Sequence, residues 1–362
     1  MNTPDSRGLR VKTRLNRQSA IVISFTLVVL IVWGILAGQV VRVAPENTNV
    51  EGSDLHLYMA IADRVSSGEN YYEAAIQEQI ARGYPVMPST SVRTPVTTVL
   101  VTALGEQVAY ALMIALIGAA AIACVITFER VSRNRLQWIG SSVFFVASLA
   151  IFGPIAVFFQ ETWAVLLIVL SICIRGRSLT ASITLALLAC GFRELAFPFI
   201  LAMAMADVFE SRKREAIAWV GAGIGYLALY AWHAAAVSNA VEKFGGDSAQ
   251  ESPGWLAFGG WPFIVGSVQS VTPLSLFPLW VSAVLVPLAL LGWLLNHGDA
   301  SLRFTLAVLG YVLPFLVIGR PNNDYWALLY APLLLPGMAY SFSGLRLLVS
   351  SIFYLSPNGE KR

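Results

Sequence analysis

The feature that most constrains the fold of this sequence is a series of apolar segments separated by short basic turns. Residues 20–41 and 108–128 are each apolar over about the 20 residues that a helix needs to cross a bilayer. A bilayer core offers backbone groups no water, so a spanning segment must satisfy its own hydrogen bonds as a helix or within a closed barrel. Runs of this length predict helices, and the chain is predicted to be an all-α polytopic membrane protein.

The composition agrees with this class and excludes another. Hydrophobic residues make up 57% of the 362 positions and charged residues 12%, whereas a soluble domain is about one quarter charged. The 24 Lys and Arg residues nearly balance the 21 Asp and Glu residues, and the basic residues form no patch. A nucleic-acid partner is therefore not expected.

About ten transmembrane helices are predicted. Their ends are assigned where an apolar run stops at Gly, Pro or Arg residues. The basic turns are assigned to the cytoplasm by the positive-inside rule, which puts both termini there. It also favours two short helices over one long helix in 179–210, with the break near Gly191–Glu194. The predicted spans are 20–41, 108–128, 138–151, 155–174, two within 179–210, 216–237, one ending near 295, 304–318 and 326–340.

These spans divide the chain into three parts. Residues 1–19 form a basic cytoplasmic tail, residues 20–343 form the transmembrane domain, and residues 344–362 form a cytoplasmic segment that is predicted to lie along the inner surface. Two large loops, 42–107 and 238–272, face the other side. Residues 95–104 are apolar but too short to span, so they are expected to re-enter the membrane or to pack against the bundle.

The first outer loop is the longest polar stretch and carries the first candidate site residues. Apolar residues recur at helical spacing over 54–66, which predicts a helix on the outer membrane surface that ends at Gly68. Asp54 and Glu51 then lie at its N-terminal end, where the helix dipole favours negative charge. Asp54 is a candidate general base for a hydroxyl group. Ordinary capping by acidic residues is the alternative.

Several ionisable residues are predicted at membrane depth, where charge is expensive and is a functional candidate by default. They fall on the outer half of the membrane, as does Asp54, which suggests an outward-facing active site. The arginines suit a phosphate ligand, because a guanidinium binds two oxygens and stays charged. The alternatives are structural ion pairing among Arg193, Glu194 and Glu161, and snorkelling of Arg320. Aromatic residues at 255, 261, 325 and 326 are expected to form an interfacial belt, with stacking on a sugar ring as the alternative for one or two of them. The candidates are Glu161, Arg193, Glu194, Arg320 and, in the first loop, Arg93.

Part of the first loop resembles glycosyltransferase family 87, whose members are bacterial mannosyltransferase-like proteins of the GT-C superfamily. The resemblance covers about residues 51–105. It rests on Asp54-Leu55-His56-Leu57-Tyr58, then Ala62, Gly68 and Tyr71-Tyr72, and finally Tyr84-Pro85 and Arg93-Thr94-Pro95. Over the rest of the chain the similarity is one of architecture.

The resemblance implies a GT-C-like bundle with a polyprenyl-phosphate sugar as donor and a lipid or glycan as acceptor. It implies a catalytic acidic residue at Asp54, and Tyr58 of the same motif is a further candidate. It places the chain in the bacterial inner membrane with a periplasmic active site. Glu51 is spaced more widely from Asp54 than the adjacent acids of the family, which leaves the need for a divalent cation open. No other cofactor is implied.

The predicted function is therefore an inverting membrane glycosyltransferase. A transporter or lipid flippase that uses the same Arg and Glu residues is the alternative, and the absence of two related halves disfavours it. A non-catalytic subunit of an envelope-polysaccharide complex is a third hypothesis, which would tolerate the loss of Asp54.

Overall fold

The computed structural model describes residues 15–37, 54–150, 152–252, 254 and 256–353, and no β-strand occurs among them. Glu51, residues 1–14 of the basic tail and residues 354–362 lie outside these ranges. The α-helices are α1 Arg17–Ala37, α2 Asp54–Ser66, α3 Tyr71–Ala81, α4 Val96–Leu104, α5 Glu106–Val131, α6 Arg135–Ser148, α7 Gln160–Ile174, α8 Leu179–Phe192, α9 Phe197–Phe209, α10 Lys213–Phe244, α11 Gly260–Ser270, α12 Leu279–Leu295, α13 Asp299–Phe315, α14 Ala331–Leu334 and α15 Met338–Phe353.

Four helical stretches of the described chain are long and apolar enough to cross a membrane. They are α1, α5, α10 and the run Ala331–Phe353 that includes α14 and α15. Large apolar side chains on these helices are exposed, such as Phe25 at 69% and Ile224 at 65%. Apolar surface of this extent is expected to face lipid rather than water. The predicted all-α class is confirmed, whereas the number of ten spans stays a prediction because α7, α8 and α12 are apolar but shorter.

The central helices run up and down between two ends of the bundle. The chain passes from the start of α7 to its end, returns along α8, descends again through α9 and returns through α10. The α7–α8 turn contacts the end of α9 through Arg175 and Asp207, and the N-terminal part of α13 contacts the same region through Arg303 and Glu210. We call this the Arg175 end. The opposite end, where α8 meets α9, is the Arg193 end.

The break between α8 and α9 is located as the charge pattern predicted. Helix α8 ends at Phe192 and α9 begins at Phe197, with Arg193 between them in an extended conformation. Thr94 donates its hydroxyl hydrogen bond to the Gly191 carbonyl at 2.7 Å. This bond fixes the re-entry segment of the first loop against the break.

Helix α7 lies at the centre of the bundle. Every residue of α7 is buried except Leu170, Cys173 and Ile174 near its C-terminal end. A helix that is apolar on all sides is buried either by lipid or by protein, and here the neighbours are α5, α8 and the 321–329 segment. The N-terminal end of α7 therefore places Glu161 at the Arg193 end of the bundle. Its C-terminal end leads into Arg175 at the opposite end of the bundle.

The first outer loop is more structured than the sequence suggested. Helix α2 has the predicted bounds and Gly68 follows it with a φ of 96°, a conformation that favours glycine. However, Tyr58 and Ala62 of its predicted apolar face are buried together with Leu57 and Ile61, and α2 contacts α3 and α4. This face is covered by protein to an extent that the sequence pattern did not reveal, and the position of α2 on the membrane surface stays a prediction.

The C-terminal region also differs from the prediction. The predicted span 326–340 is not one helix but a 3₁₀ segment Pro321–Leu329, then α14, then a 3₁₀ turn at Leu335–Gly337. Helix α15 instead continues through the predicted surface segment at Gly344 and packs against α1 and α12. The turn at Gly337 lies so close to Gly292 of α12 that a Cβ at either position would clash with backbone.

Candidate active site

A cavity of about 210 Å³ opens at the Arg193 end, between the first loop and the segment after α13. This volume corresponds to several water molecules at about 30 Å³ each. Its walls are polar and aromatic as well as aliphatic. The residues that line it include four of the predicted site residues, namely Asp54, Tyr58, Arg93 and Arg320.

Asp54 is the first residue of α2, so its carboxylate stands at the end of the helix that faces the cavity. The Tyr325 hydroxyl donates a hydrogen bond to Asp54 Oδ2 at 2.9 Å. The Tyr84 phenol also bonds the Asp54 side chain. Burial raises the pKa of Tyr325 well above its ordinary value, so this phenol remains a donor at neutral pH.

Arg93 is held in place by two phenols. Its Nε donates to the Tyr58 hydroxyl at 3.1 Å, and its Nη2 donates to the Tyr325 hydroxyl at 3.1 Å. Burial opposes the charged form of Arg93, but the phenols and Glu194 outweigh it, and the pKa of the guanidinium lies well above its ordinary value. Tyr325 therefore links a fixed cation to the Asp54 carboxylate.

Behind Arg93 lies an ion cluster centred on Arg193, in which Arg193 and Glu161 are fully buried and the Glu194 side chain is 10% exposed. Arg193 Nε is 2.8 Å from Glu161 Oε1, and Arg193 Nη1 is 3.0 Å from Glu194 Oε1. Arg93 Nη1 lies 3.7 Å from the same Glu194 oxygen, which joins the cluster to the cavity wall. The Arg193 guanidinium also lies 6.0 Å from the centroid of the Trp326 ring.

The contacts of this cluster are close but poorly aligned. All three guanidinium nitrogens of Arg193 and both carboxylate oxygens of Glu161 and Glu194 lack a partner with hydrogen-bond geometry. They are ion pairs by distance, and their full hydrogen-bonding capacity is not used by the described residues. Buried polar atoms of this kind need an explanation, for which strain and a catalytic role are two common candidates.

Arg320 is the second cation on the cavity wall. It precedes the 3₁₀ segment Pro321–Leu329, and it is partly exposed. Within the described part of the chain, neither an ion pair nor a hydrogen bond of the Arg320 side chain is formed. Its five donors are thus available to an anion in the cavity.

The structure brings together seven of the eight predicted site residues and leaves one undescribed. Asp54, Tyr58, Arg93 and Arg320 line the cavity, whereas Glu161, Arg193 and Glu194 form the buried cluster directly behind Arg93. The predicted direct contact of Arg193 with a ligand is not supported, because Arg193 is 0% exposed. The structure instead shows the alternative, in which Arg193 forms ion pairs with Glu161 and Glu194. Glu51 lies outside the described residues.

The most important residue that the sequence did not identify is Tyr325. We expected it to join an interfacial belt with Trp326 and Trp261, but this is wrong, because Trp326 and Trp261 are only 2% and 3% exposed and Tyr325 faces the cavity. Gln160 and Asn323 also line the cavity. In the sequence, Gln160 lies close to Glu161 and Asn323 lies close to Arg320. This proximity is the signal that could have identified them.

A metal site is not evident in the described ranges. Within them, no three His, Cys, Asp or Glu side chains are grouped in a way that could hold an ion. The carboxylates of the cavity wall and the cluster, Asp54, Glu161 and Glu194, are matched in number by Arg93, Arg193 and Arg320. The need for a divalent cation stays open, because Glu51 is not among the described residues.

The arrangement can do two things chemically. A carboxylate on the wall can accept a proton, and two arginines on the same wall can stabilise a phosphate charge. Comparisons with known proteins add nothing to this assignment: no family model matches the chain, and neither a curated protein nor a solved structure shows significant similarity.

Proposed function

We propose that this protein is a membrane glycosyltransferase that moves a sugar from a polyprenyl-phosphate carrier to a lipid or glycan acceptor. It would have ten spans, lie in the bacterial inner membrane with both termini in the cytoplasm, and act on the periplasmic side. The observation that carries the proposal is that Asp54 and Arg320 lie on the wall of one cavity, so that a carboxylate and a cation that the described residues leave unpaired face the same space.

In the proposed reaction, Asp54 removes the proton of the acceptor hydroxyl. The acceptor oxygen attacks the anomeric carbon from the side opposite the carrier, and the bond from that carbon to the phosphate oxygen breaks. The phosphate leaves with the bonding electrons, and the anomeric configuration inverts. A single positioned base suffices for such a displacement, because the leaving phosphate needs no proton if cations stabilise its charge.

Two cations have different roles in this proposal. Arg320 binds the phosphate directly, since the described residues leave its donors unused. Arg93 is fixed by Tyr58 and Tyr325 and supplies a positive potential at the wall. The buried cluster of Arg193, Glu161 and Glu194 acts as a positioning group, because Glu194 contacts Arg93 but the cluster does not reach the cavity.

A lipid-linked donor is supported by the surface beside the cavity. Thr98 of α4 lines the cavity, while Val99 and Leu104 of the same helix are exposed at 49% and 42%. An apolar surface next to a polar cavity suits a substrate whose chain stays in lipid while its head group enters the site.

The test uses the purified full chain in liposomes with a panel of polyprenyl-phosphate sugars and an extract of membrane lipids and glycans. Donor consumption is followed by mass spectrometry for the native protein, for Asp54→Asn and for Asp63→Asn. Asp63 lies on the same helix but is exposed and outside the cavity, so it is a matched control. The Asp54→Asn rate should fall by about 10²- to 10⁴-fold, which is typical for loss of a general base.

Three outcomes would contradict the proposal. If Asp54→Asn consumes donor at the native rate, Asp54 is not the base. If both Asp variants lose activity equally, the loss reflects damage to α2. If a labelled sugar carrier crosses the membrane unchanged while no product forms, the protein is a transporter or flippase.

A further inference from the structure

A second cavity lies at the Arg175 end, on the side of the bundle where α7 is not covered by protein. It has a volume of about 290 Å³ and lies between α5, α7 and α8. The three residues of α7 that are only partly buried, Leu170, Cys173 and Ile174, all belong to its wall. We call this space the α5–α7–α8 groove.

The groove is apolar along its length and basic at one end. Apart from Thr127 and Cys173, the wall away from the arginines is aliphatic. Arg130 lies in the last turn of α5, and Arg177 lies in the turn between α7 and α8, so both are at the same end of the groove. The aliphatic residues are Ala123, Ile126, Leu170, Ile174 and Leu185.

The two arginines are exposed, and within the described chain they bond to no carboxylate. The neighbouring Arg175, in contrast, forms ion pairs: its Nη2 lies 2.7 Å from Asp207 Oδ2 and also contacts Glu215. Among the described residues Arg130 and Arg177 have no such partners, so two positive charges lie at the end of an apolar groove.

We propose that the α5–α7–α8 groove binds an anionic glycerophospholipid, with its phosphate between Arg130 and Arg177 and an acyl chain along the aliphatic wall. Basic pockets between transmembrane helices recognise lipid head groups in this way. The position of Arg130 at the end of a helix long enough to cross a membrane puts the arginines at the depth of the head groups. Free phosphate would leave the aliphatic wall unfilled, so a lipid is the occupant. This site is separate from the proposed active site, which lies at the opposite end of α7.

Cys173 gives a direct measurement of occupancy. It lies on the groove wall and is partly exposed, whereas Cys124 and Cys190 are buried. The full chain is placed in nanodiscs of phosphatidylcholine alone or with phosphatidylglycerol, and the rate of Cys173 alkylation by a small maleimide is measured by peptide mass spectrometry. Phosphatidylglycerol should slow alkylation of the native protein. The variants are Arg130→Gln and Arg177→Gln. The control is Arg135→Gln, because Arg135 is exposed at the start of α6 and lies outside the groove.

Each groove arginine lost should weaken the effect of phosphatidylglycerol by about fivefold, because a basic residue near an anionic head group contributes about 1 kcal/mol. The control should retain the effect. Equal alkylation of the native protein in both lipids would overturn the proposal, and an equal loss in Arg135→Gln would replace it with a general surface-charge effect.

A second measurement does not depend on any variant folding. Native mass spectrometry of the native protein, equilibrated with equal amounts of the two lipids, should show retained phosphatidylglycerol in excess. Equal retention would overturn the proposal. Neither measurement uses donor sugar, so failure here leaves the transferase proposal intact, and loss of transfer in Asp54→Asn should leave the groove unaffected.

Discussion

The two ends of the bundle each contain a buried ionic network, but the two networks satisfy their charges differently. At the Arg175 end, Arg175 Nη2 donates aligned hydrogen bonds to both oxygens of Asp207, at 2.9 and 2.7 Å. Here Glu210 Oε1 and Arg303 Nε are the unsatisfied buried carboxylate and guanidinium atoms of the described network. At the Arg193 end, every guanidinium nitrogen of Arg193 and all four oxygens of its two partners are unsatisfied.

The difference teaches how to separate a structural charge from a functional one. Both networks are at helix ends and both contain arginine, so the presence of charge at a helix end does not distinguish them. What distinguishes them is the use of their polar atoms and their surroundings. The Arg175 network completes most of its bonds within the described protein, with Glu210 Oε1 and Arg303 Nε as exceptions, while the Arg193 network adjoins a cavity through Arg93.

The largest predicted effect is that of Arg193→Met. This change leaves Glu161 buried without its cation, while Glu194 keeps Arg93 at 3.7 Å, and it should lower the free energy of unfolding by about 3–5 kcal/mol. Adding Glu161→Gln should recover part of the loss, because the uncompensated charge of Glu161 is removed. Unfolding by SDS in mixed micelles measures both variants, and strictly additive losses would show that the two residues are not coupled.

A smaller loss is expected for Arg175→Met at the other end. Asp207 keeps Arg212 at 4.0 Å, and the Glu215 side chain is 36% exposed, so neither carboxylate is left wholly uncompensated. The predicted loss is about 1.5–3 kcal/mol, typical for hydrogen bonds to charged groups. Sugar transfer per folded molecule should be unchanged. A loss of stability equal to that of Arg193→Met would remove the contrast between the ends.

Tyr325→Phe tests the link between Arg93 and Asp54. Removing the hydroxyl deletes the bond to Asp54 Oδ2 and the acceptor for Arg93, so unfolding should be easier by about 0.5–1.5 kcal/mol. Transfer should slow as well. Tyr330→Phe is the matched control, because its buried hydroxyl has no partner in the described structure. An equal effect of both changes on transfer would rule out a specific role of the Tyr325 hydroxyl.

The smallest effect is predicted for an exposed ion pair that belongs to neither network. Lys243 Nζ lies 2.7 Å from Glu73 Oε1, but the two side chains are 64% and 39% exposed. Lys243→Met should change the free energy of unfolding by about 0–1 kcal/mol. A larger change in the same SDS titration would mean that exposure is a poor guide to the cost of breaking a pair in this protein.

The sequence predicted the local features of this fold better than the distant ones. The end of α2 at Gly68 and the break at Arg193 were visible because glycine and charge interrupt apolar runs at the point where the helix stops. The bond between Tyr325 and Asp54 joins residues 271 positions apart, so no local pattern could reveal it. For the same reason, the apolar face of α2 suggested lipid although α3 and α4 cover it.

The candidate site was predicted in part. Charge at the Arg193 end identified Asp54, Arg93 and Arg320, which line the cavity. The same criterion could not separate Arg193 from them, because burial of the guanidinium depends on how α7, α8 and the 321–329 segment pack. Helix α7 itself was predicted as a span on hydropathy, and composition alone does not say whether lipid or protein surrounds it.

The burial of α7 has a mechanical consequence. Its N-terminal end holds Arg193 through Glu161, and Arg175 at its C-terminal end is tied to Asp207 of α9. At 1.5 Å per residue, α7 is about 22 Å long, and an ion pair holds each of its ends. A shift of α7 along its axis would disturb both ion pairs, so α7, the break at Arg193 and the end of α9 should move together as one rigid body.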